Sequence, residues 1–205
     1  MSPGTSKEEG LPATGLEMAT LAGGCFWCTD AVFKRIKGVH DVISGYSGGD
    51  AGSASYWKVS SGRTGHAESV QIKYDPQVIS YDSLLDVFWA THDPTTQDRQ
   101  GADAGPQYRS VIFYHSDEQR RTAEASKARW EASGKLKGKI VTSIEPFKGF
   151  YPAESHHQDY YAKNPHKPYC SMVIEPKIRK LLRDFGDDVK EEDQWREARR
   201  TRARR

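Results

Sequence analysis

Alternating apolar and polar residues predict the strands of a sheet along most of this chain. The predicted strands are Glu17–Ala22, Val39–Ser47, Ala67–Tyr74, Ser110–His115 and Val141–Ile144. In the third strand the alternation places Glu68 on the same face as three apolar residues further along. Because buried carboxylates are rare, Glu68 is a candidate functional residue. The alternative is a structural carboxylate paired with an arginine or with the nearby His66.

Apolar residues at helical spacing predict the helices between these strands. One helix begins near Cys25 and stops at Gly38, and Ser80 can cap a second helix with a buried apolar stripe. That stripe consists of Leu84, Leu85, Phe88 and Trp89. Three later helices are expected, one opening with the capping box Ser116–Gln119 and two at His156–Tyr161 and Pro176–Phe185.

The order strand–helix–strand–strand–helix–strand predicts an α+β fold. We expect a split βαβ, ferredoxin-like core with a mixed or antiparallel sheet, extra helices and long loops around the functional site. The segment 91–107 is the longest of these loops, and loops of that length inside a domain usually carry function.

Composition indicates one ordinary domain with polar ends. The chain has 205 residues, of which 36% are hydrophobic, and this length suffices for a core without disulfides. Residues 1–15 are predicted to be a disordered leader, 16–186 the catalytic domain and 187–205 a charged, arginine-rich tail. A solvated tail explains the arginines without a nucleic-acid partner, and the net charge of +2 does not require one.

Localisation and assembly are constrained by what the composition lacks. No apolar run reaches membrane-spanning length, and residues 1–15 lack the apolar core of a signal peptide. Three cysteines cannot form a closed set of disulfides, which argues against a disulfide-dependent secreted module. We therefore expect a cytoplasmic monomer without membrane contact.

The segment Gly24-Cys25-Phe26-Trp27-Cys28 places a thiol and two aromatic rings at the predicted start of a helix. Unpaired backbone N–H groups and the helix dipole favour a thiolate there. The rings can form an apolar pocket beside the sulfur. A buried, inert cysteine and a zinc site are the alternatives. Zinc needs a second pair of ligands, whereas the remaining cysteine, Cys170, stands alone beside Tyr169.

These features combine into one chemical hypothesis. A thiolate at Cys25 would attack an electrophile, and a carboxylic acid would protonate the departing oxygen. Burial would raise the pKa of Glu68 toward neutrality, which suits such a donor. Polar residues in loops complete the candidate set: Tyr56, Asp103, Tyr108, His156 and His157. Taken singly, the tyrosines and histidines are explained by ordinary hydrogen-bonded packing.

Gly24-Cys25-Phe26-Trp27 resembles the active-site signature of the peptide methionine (S)-S-oxide reductases, the A family of methionine sulfoxide reductases. The resemblance continues in order from about residue 17 to 185 and omits both ends. It includes Gly45-Tyr46-Ser47-Gly48-Gly49, Gly65-His66-Ala67-Glu68-Ser69-Val70, His92-Asp93-Pro94-Thr95-Thr96, Gln107-Tyr108-Arg109-Ser110, His157-Gln158-Asp159-Tyr160 and Tyr169-Cys170. An ordered set of this kind is far more specific than a lone C-x-x-C pair.

The resemblance implies reduction of methionine-S-sulfoxide, free or in proteins, as repair of oxidative damage. Cys25 would attack the sulfoxide sulfur, and Glu68 would give a proton to the oxygen. Phe26 and Trp27 would hold the methyl group. Further substrate contacts are implied at Tyr56, Tyr108, Asp103 and His157.

The resemblance also implies that Cys25 becomes a sulfenic acid, which a resolving cysteine converts into a disulfide. Thioredoxin, or dithiothreitol in vitro, would reduce that disulfide, and no metal or organic cofactor is implied. Cys28 stands where the family commonly has glycine, whereas Cys170 resembles the family's resolving residue. We expect Cys170 to resolve first, with Cys28 as a second relay or a substitute. A general thiol–disulfide oxidoreductase that uses Cys25 and Cys28 is the alternative function.

Overall fold

The computed structural model describes residues 15–194. The predicted leader, apart from Gly15, and the arginine-rich residues 195–205 lie outside the described residues. The division into leader, domain and tail therefore stays a prediction. Residues just beyond 186 belong to the packed structure, because Val189 is fully buried and pairs with Ile36. The backbone N–H of Lys190 also donates to the carbonyl of Arg35 at 2.9 Å.

A six-stranded sheet forms the centre of the described structure. The strands are β1 (Glu17–Gly23), β2 (Val39–Ser47), β3 (Ala67–Tyr74), β4 (Arg99–Gln100), β5 (Asp103–Ala104), β6 (Ser110–Tyr114), β7 (Ser143–Pro146) and β8 (Phe150–Pro152). β4 and β5 form a separate hairpin, and the other six strands follow the order β7-β6-β1-β3-β2-β8. Neighbouring strands are antiparallel except β6 and β7, which are parallel.

Helices connect the strands and cover the sheet. They are α1 (Phe26–Phe33), α2 (Tyr56–Val59), α3 (Tyr81–Thr91), α4 (Asp117–Ala132), α5 (Tyr160–Lys163) and α6 (Glu175–Asp184). A π-helical segment, Cys170–Ile174, leads directly into α6. The predicted caps are confirmed: the hydroxyl of Ser80 accepts from the N–H of Ser83 at 3.1 Å, and Ser116 accepts from Gln119 at 3.2 Å.

The predicted α+β fold with a split βαβ core is confirmed. α1 links β1 to β2, α3 links β3 to β6, and β3 lies between β1 and β2 in the order β6-β1-β3-β2. β7 and β8 extend this core at its two edges. α1 packs against β2 and β3, while α6 packs against α1 and α3. This arrangement places the C-terminal end of β1, the middle of the sheet and the start of α1 beside one another.

The structure differs from the sequence prediction in the short elements. β8, α2 and the hairpin of β4 and β5 were not predicted, and the strand expected at Val141–Ile144 lies slightly later as β7. The helix expected at His156–Tyr161 is replaced by a 3₁₀ turn at Ser155–His157 followed by α5. Asp159, between them, has a φ of 56°, which interrupts a continuous helix.

Candidate active site

Cys25 lies at the junction between β1 and α1, where it is the N-cap residue of the helix. The preceding residue, Gly24, has a φ of +92°, a conformation that side chains rarely adopt. A Cβ there would also lie 2.6 Å from the Cβ and Cγ atoms of Gln100. The glycine is therefore required both by the turn and by the close approach of the loop that follows α3. The turn leaves Cys25 buried, with 7% of its surface exposed.

Glu68 lies on the central strand β3, and its carboxylate reaches the same helix terminus. The carboxylate accepts a hydrogen bond from the backbone N–H of Phe26 at 3.0 Å. Glu68 is only 3% exposed. This burial raises its pKa to about 8, although the hydrogen bond from Phe26 acts in the opposite direction. A neutral carboxylic acid is therefore available beside Cys25 at neutral pH.

Cys25 and Cys28 form a hydrogen-bonded pair of sulfur atoms with opposite acidities. Burial raises the pKa of Cys25 well above its usual range, and the contacts with Cys28 and Glu68 raise it further. The hydrogen bond from Cys25 lowers the pKa of Cys28 to about 7. Two features favour the thiol form of Cys25: Glu68 accepts the first N–H group of the helix, and Cys25 is desolvated. The expected Cys25 thiolate stays a prediction. Within the pair, Cys28 is therefore the more acidic thiol.

Aromatic rings form the wall of the site next to Cys25. The ring of Trp27 stacks on Tyr160, with centroids 3.6 Å apart and an interplanar angle of 5°. Its Nε1–H donates to Nδ1 of His157 at 3.2 Å, which places the remaining proton of the neutral histidine on Nε2. Phe26 packs against Tyr46 on one side, with centroids 5.8 Å apart, and against His157 on the other, at 5.4 Å.

Tyr56 and Tyr108 approach the same site from two different segments. Burial raises the pKa of both phenols, and the charges of Glu68 and Cys25 raise it further in each case. Both hydroxyls therefore remain protonated, and both lie near enough to Glu68 and Cys25 to feel their charges. The backbone N–H of Tyr56 donates to Glu154 at 3.0 Å, which fixes the start of α2.

Asp103 is linked to Cys28 through Tyr169. The Tyr169 hydroxyl donates to the Asp103 carboxylate at 2.6 Å and lies 3.7 Å from the sulfur of Cys28. The ring of Tyr169 also meets Trp27 edge-on, with centroids 5.7 Å apart. Asp103 therefore holds a tyrosine that contacts both the second thiol and the aromatic wall.

The family model for peptide methionine sulfoxide reductase matches residues 17–189 of this chain, which include all of these groups. The chain belongs to this family. A relative described as peptide methionine sulfoxide reductase MsrA 1, from Rhodopirellula baltica, is 55% identical over 176 residues, covering 86% of this chain and 91% of its own. The chain is thus an oxidoreductase of the methionine sulfoxide reductase A type.

Solved structures of this family have the same fold. The reduced form of Mxr1 from Saccharomyces cerevisiae superposes with a TM-score of 0.70 at 40% identity, covering 77% of this chain and 91% of the other. Mxr1 in complex with Trx2 matches with a TM-score of 0.50 at 31% identity, covering 76% and 92%.

The reductase site brings together nine of the eleven candidate residues predicted from the sequence. They are Cys25, Phe26, Trp27, Cys28, Tyr56, Glu68, Asp103, Tyr108 and His157. Of the other two, Cys170 is fully buried at the start of the π-helical segment, and His156 is exposed and packs on His157 with ring centroids 4.1 Å apart. All three cysteines are thiols. The roles of these residues stay predictions.

Sequence reasoning missed several residues that shape this site. Tyr46, Glu154, Tyr160 and Tyr169 hold the aromatic wall and the second thiol, yet none was singled out for a role. The sequence pattern could have identified Tyr46. It lies directly opposite Glu68 in the pairing of β2 with β3, so both side chains lie on the same face of the sheet. The others lie in loops or short helices, where no periodicity reports on burial.

Across residues 15–194 no group of three or more histidine, cysteine or acidic side chains is arranged to hold a metal ion. No helix in that part of the chain is long and apolar enough to cross a bilayer. The expected absence of a cofactor stays a prediction.

Proposed function

We propose that this reductase converts methionine-(S)-sulfoxide, free or in proteins, to methionine by attack of Cys25 on the sulfoxide sulfur. The observation that carries the proposal is a buried carboxylic acid, Glu68, with a pKa of about 8 beside the Cys25 thiol. A sulfoxide oxygen is a poor leaving group unless it is protonated. Glu68 would supply that proton at neutral pH.

The first step is balanced within the site. The Cys25 sulfur loses two electrons and becomes a sulfenic acid, while the sulfoxide sulfur gains two and leaves as the thioether of methionine. The thiol proton of Cys25 passes to the ionised Cys28, with which it shares a hydrogen bond. The proton of Glu68 goes to the sulfoxide oxygen.

The walls of the site supply the substrate contacts. Phe26 and Trp27 would enclose the methyl group, and the Tyr56 and Tyr108 hydroxyls would donate to the oxygen. Nε2 of His157 is buried and has no hydrogen-bond partner within the described residues, so its proton is available to the substrate. Asp103 would act through Tyr169, because its carboxylate accepts a hydrogen bond from the Tyr169 hydroxyl.

We propose that Cys28 is the first thiol to resolve the sulfenic acid, with Cys170 as the alternative predicted from the sequence. Two observations favour Cys28. It lies one helical turn from Cys25, in hydrogen-bonding contact, and its pKa of about 7 makes it half ionised at neutrality. Cys170 is fully buried in the π-helical segment and would have to leave it.

Thioredoxin is the proposed reductant of the resulting disulfide. A relative of known structure, Mxr1, has been observed in complex with Trx2, and this chain matches that Mxr1 chain at 31% identity. The cytoplasmic location and the monomeric state stay predictions.

Turnover of the separate sulfoxide epimers, first with dithiothreitol and then with thioredoxin, tests the function. We expect turnover of the S epimer with both reductants and none of the R epimer. We also expect the Cys25→Ser variant to be inactive with both reductants. Equal turnover of both epimers, or full activity of Cys25→Ser, would refute the proposal.

A second experiment separates this function from general thiol–disulfide exchange, which the Cys25 and Cys28 pair also favours. Disulfide exchange needs no proton donor for an oxygen, so it would be insensitive to Glu68→Gln. We expect Glu68→Gln to impair sulfoxide reduction and to leave reduction of the Cys25–Cys28 disulfide by thioredoxin much less affected. Equal loss in both reactions would contradict this assignment.

A further inference from the structure

We infer that Lys177 is a positioning residue that holds Cys28 as the thiolate which attacks the oxidised Cys25. This inference rests on the proposed function and assigns to one lysine on α6 a part in the resolving step.

Lys177 and Cys28 line the same narrow cavity between α1, α3 and α6. The cavity measures about 10 Å³, which is room for about one water molecule. The Lys177 ammonium is fixed there, since it donates to the carbonyl of Thr91 at 3.1 Å. A partly buried cation held in one position interacts more strongly with a nearby thiolate than a cation fully exposed to solvent and salt.

The other groups that face Cys28 do not supply a positive charge. Cys25 donates a hydrogen bond to Cys28, the neutral Tyr169 hydroxyl contacts it at 3.7 Å, and the charge of Asp103 raises the pKa of Cys28. Glu68 is neutral below about pH 8. His92, at the end of α3, is neutral because burial lowers its pKa to about 3. The charge of Lys177 acts in the opposite direction to that of Asp103 and lowers the pKa of Cys28.

The charge matters most after Cys25 has been oxidised. In the resting site the thiol of Cys25 donates to Cys28 and stabilises its negative charge. Conversion of Cys25 to the sulfenic acid removes that thiol. Cys28, which took up the Cys25 proton in the first step, must lose it again before it can attack. The charge of Lys177 does not depend on the oxidation state of Cys25, so it favours that loss and the return of Cys28 to the thiolate.

The resolving step is balanced with these groups. The Cys28 thiolate attacks the sulfur of the Cys25 sulfenic acid, the S–S bond forms and the S–O bond breaks. The proton that Cys28 releases returns to the Glu68 carboxylate or to solvent. The oxygen leaves as hydroxide and becomes water by taking that proton from Glu68 or from solvent.

Lys180 provides a matched control on the same face of α6. Its ammonium donates to the carbonyl of Ala90, so both lysines satisfy carbonyls at the C-terminal end of α3. Lys180 lines a different cavity, between α3, α4 and α6, which does not include Cys28. A purely structural role at the end of α3 would therefore be shared by both lysines.

The test measures formation of the Cys25–Cys28 disulfide against pH after a single turnover, in full-length wild type, Lys177→Met, Lys177→Arg and Lys180→Met. In Lys177→Met we expect the pH midpoint of the rate of disulfide formation to lie about one unit higher than in wild type. Below that midpoint the disulfide should therefore form about tenfold more slowly. Lys177→Arg should restore most of the midpoint, and Lys180→Met should keep the wild-type value.

The outcomes that overturn the inference are distinct. An unchanged midpoint in Lys177→Met, or an equal shift in Lys180→Met, overturns the role of Lys177 and leaves the resolving role of Cys28 intact. Oxidised wild type that contains Cys25–Cys170 and no Cys25–Cys28 linkage overturns both, because the resolving step proposed above has then failed.

Discussion

Glu68 accepts a hydrogen bond from the backbone N–H of Phe26 at 3.0 Å, across 42 positions of sequence. This contact joins the central strand β3 to the first residue of α1 and so fixes the acid beside Cys25. It also explains why the helix terminus does not by itself make Cys25 a thiolate, because its first N–H group is already occupied. The site therefore combines a neutral carboxylic acid with a thiol whose pKa is raised by burial.

Replacement of Glu68 by glutamine removes the proton donor and leaves an acceptor for Phe26. We expect methionine release in a single turnover to slow by roughly 100-fold or more. In wild type the donor is present below about pH 8 and is lost as the pH rises through that value, so the rate should fall there. The variant should lack that fall. Glu145→Gln, on the edge strand β7, is the control, and a wild-type rate in Glu68→Gln would contradict the assignment.

The raised pKa of Glu68 also predicts a change in stability with pH. Its folded-state pKa of about 8 exceeds the value of 4.5 for an exposed glutamate, so the folded state binds the proton more tightly than the unfolded state does. The contribution to the free energy of unfolding is complete below pH 4.5 and is lost as the pH rises through about 8. Thermal unfolding at pH 5 and pH 9 should therefore show a smaller pH dependence in Glu68→Gln. An identical pH dependence in both proteins would argue against a buried neutral acid.

Trp27 is held by stacking on Tyr160 and by its hydrogen bond to His157, so its ring is positioned before substrate arrives. In Trp27→Ala we expect kcat/KM for free methionine sulfoxide to fall by about tenfold or more, mainly through KM, because the apolar wall is lost. Steady-state kinetics provide the measurement. Trp130→Ala, on α4, is the matched control. A KM unchanged from wild type would show that Trp27 does not contact the substrate.

Alanine variants at Gly24 and Gly101 distinguish two ways in which replacing a glycine destabilises the fold: backbone strain at a positive φ and collision of the new Cβ with its neighbours. Both have positive φ, +92° and +61°, so alanine at either position should cost about 1–2 kcal/mol of stability. A Cβ at Gly24 also collides with Gln100, whereas nothing lies within 4 Å of one at Gly101. We expect Gly24→Ala to be the less stable variant in urea unfolding and to lose activity. Equal stabilities would mean that the loop around Gln100 moves aside without cost.

Periodic segments made much of this fold predictable from the sequence. The alternation along β3 identified Glu68 as a buried carboxylate, and Ser80 and Ser116 marked the starts of α3 and α4. α2 and β8 could not be predicted in this way. α2 has four residues and β8 has three, which is too short for a periodic pattern. Both depend on tertiary contacts, namely the hydrogen bond from Tyr56 to Glu154 and the pairing of β8 with β2.

The candidate site was predictable to the extent that its residues lie in recognisable motifs. The motif around Cys25 and the resemblance to the reductase family supplied its principal residues. The contact between Tyr169 and Cys28 and the cavity shared by Cys28 and Lys177 depend on how the last helix packs against α1. No local sequence pattern reports that packing.

The most direct test of the central claim uses protein in which Cys25 is the sole cysteine, made by Cys28→Ser and Cys170→Ser. The measurement is the amount of methionine released from methionine-(S)-sulfoxide without any reductant, together with trapping of a sulfenic acid by a dimedone-type probe. We predict one equivalent of methionine per protein and the trapped sulfenic acid on Cys25. Methionine release no greater than that of Cys25→Ser would contradict the account.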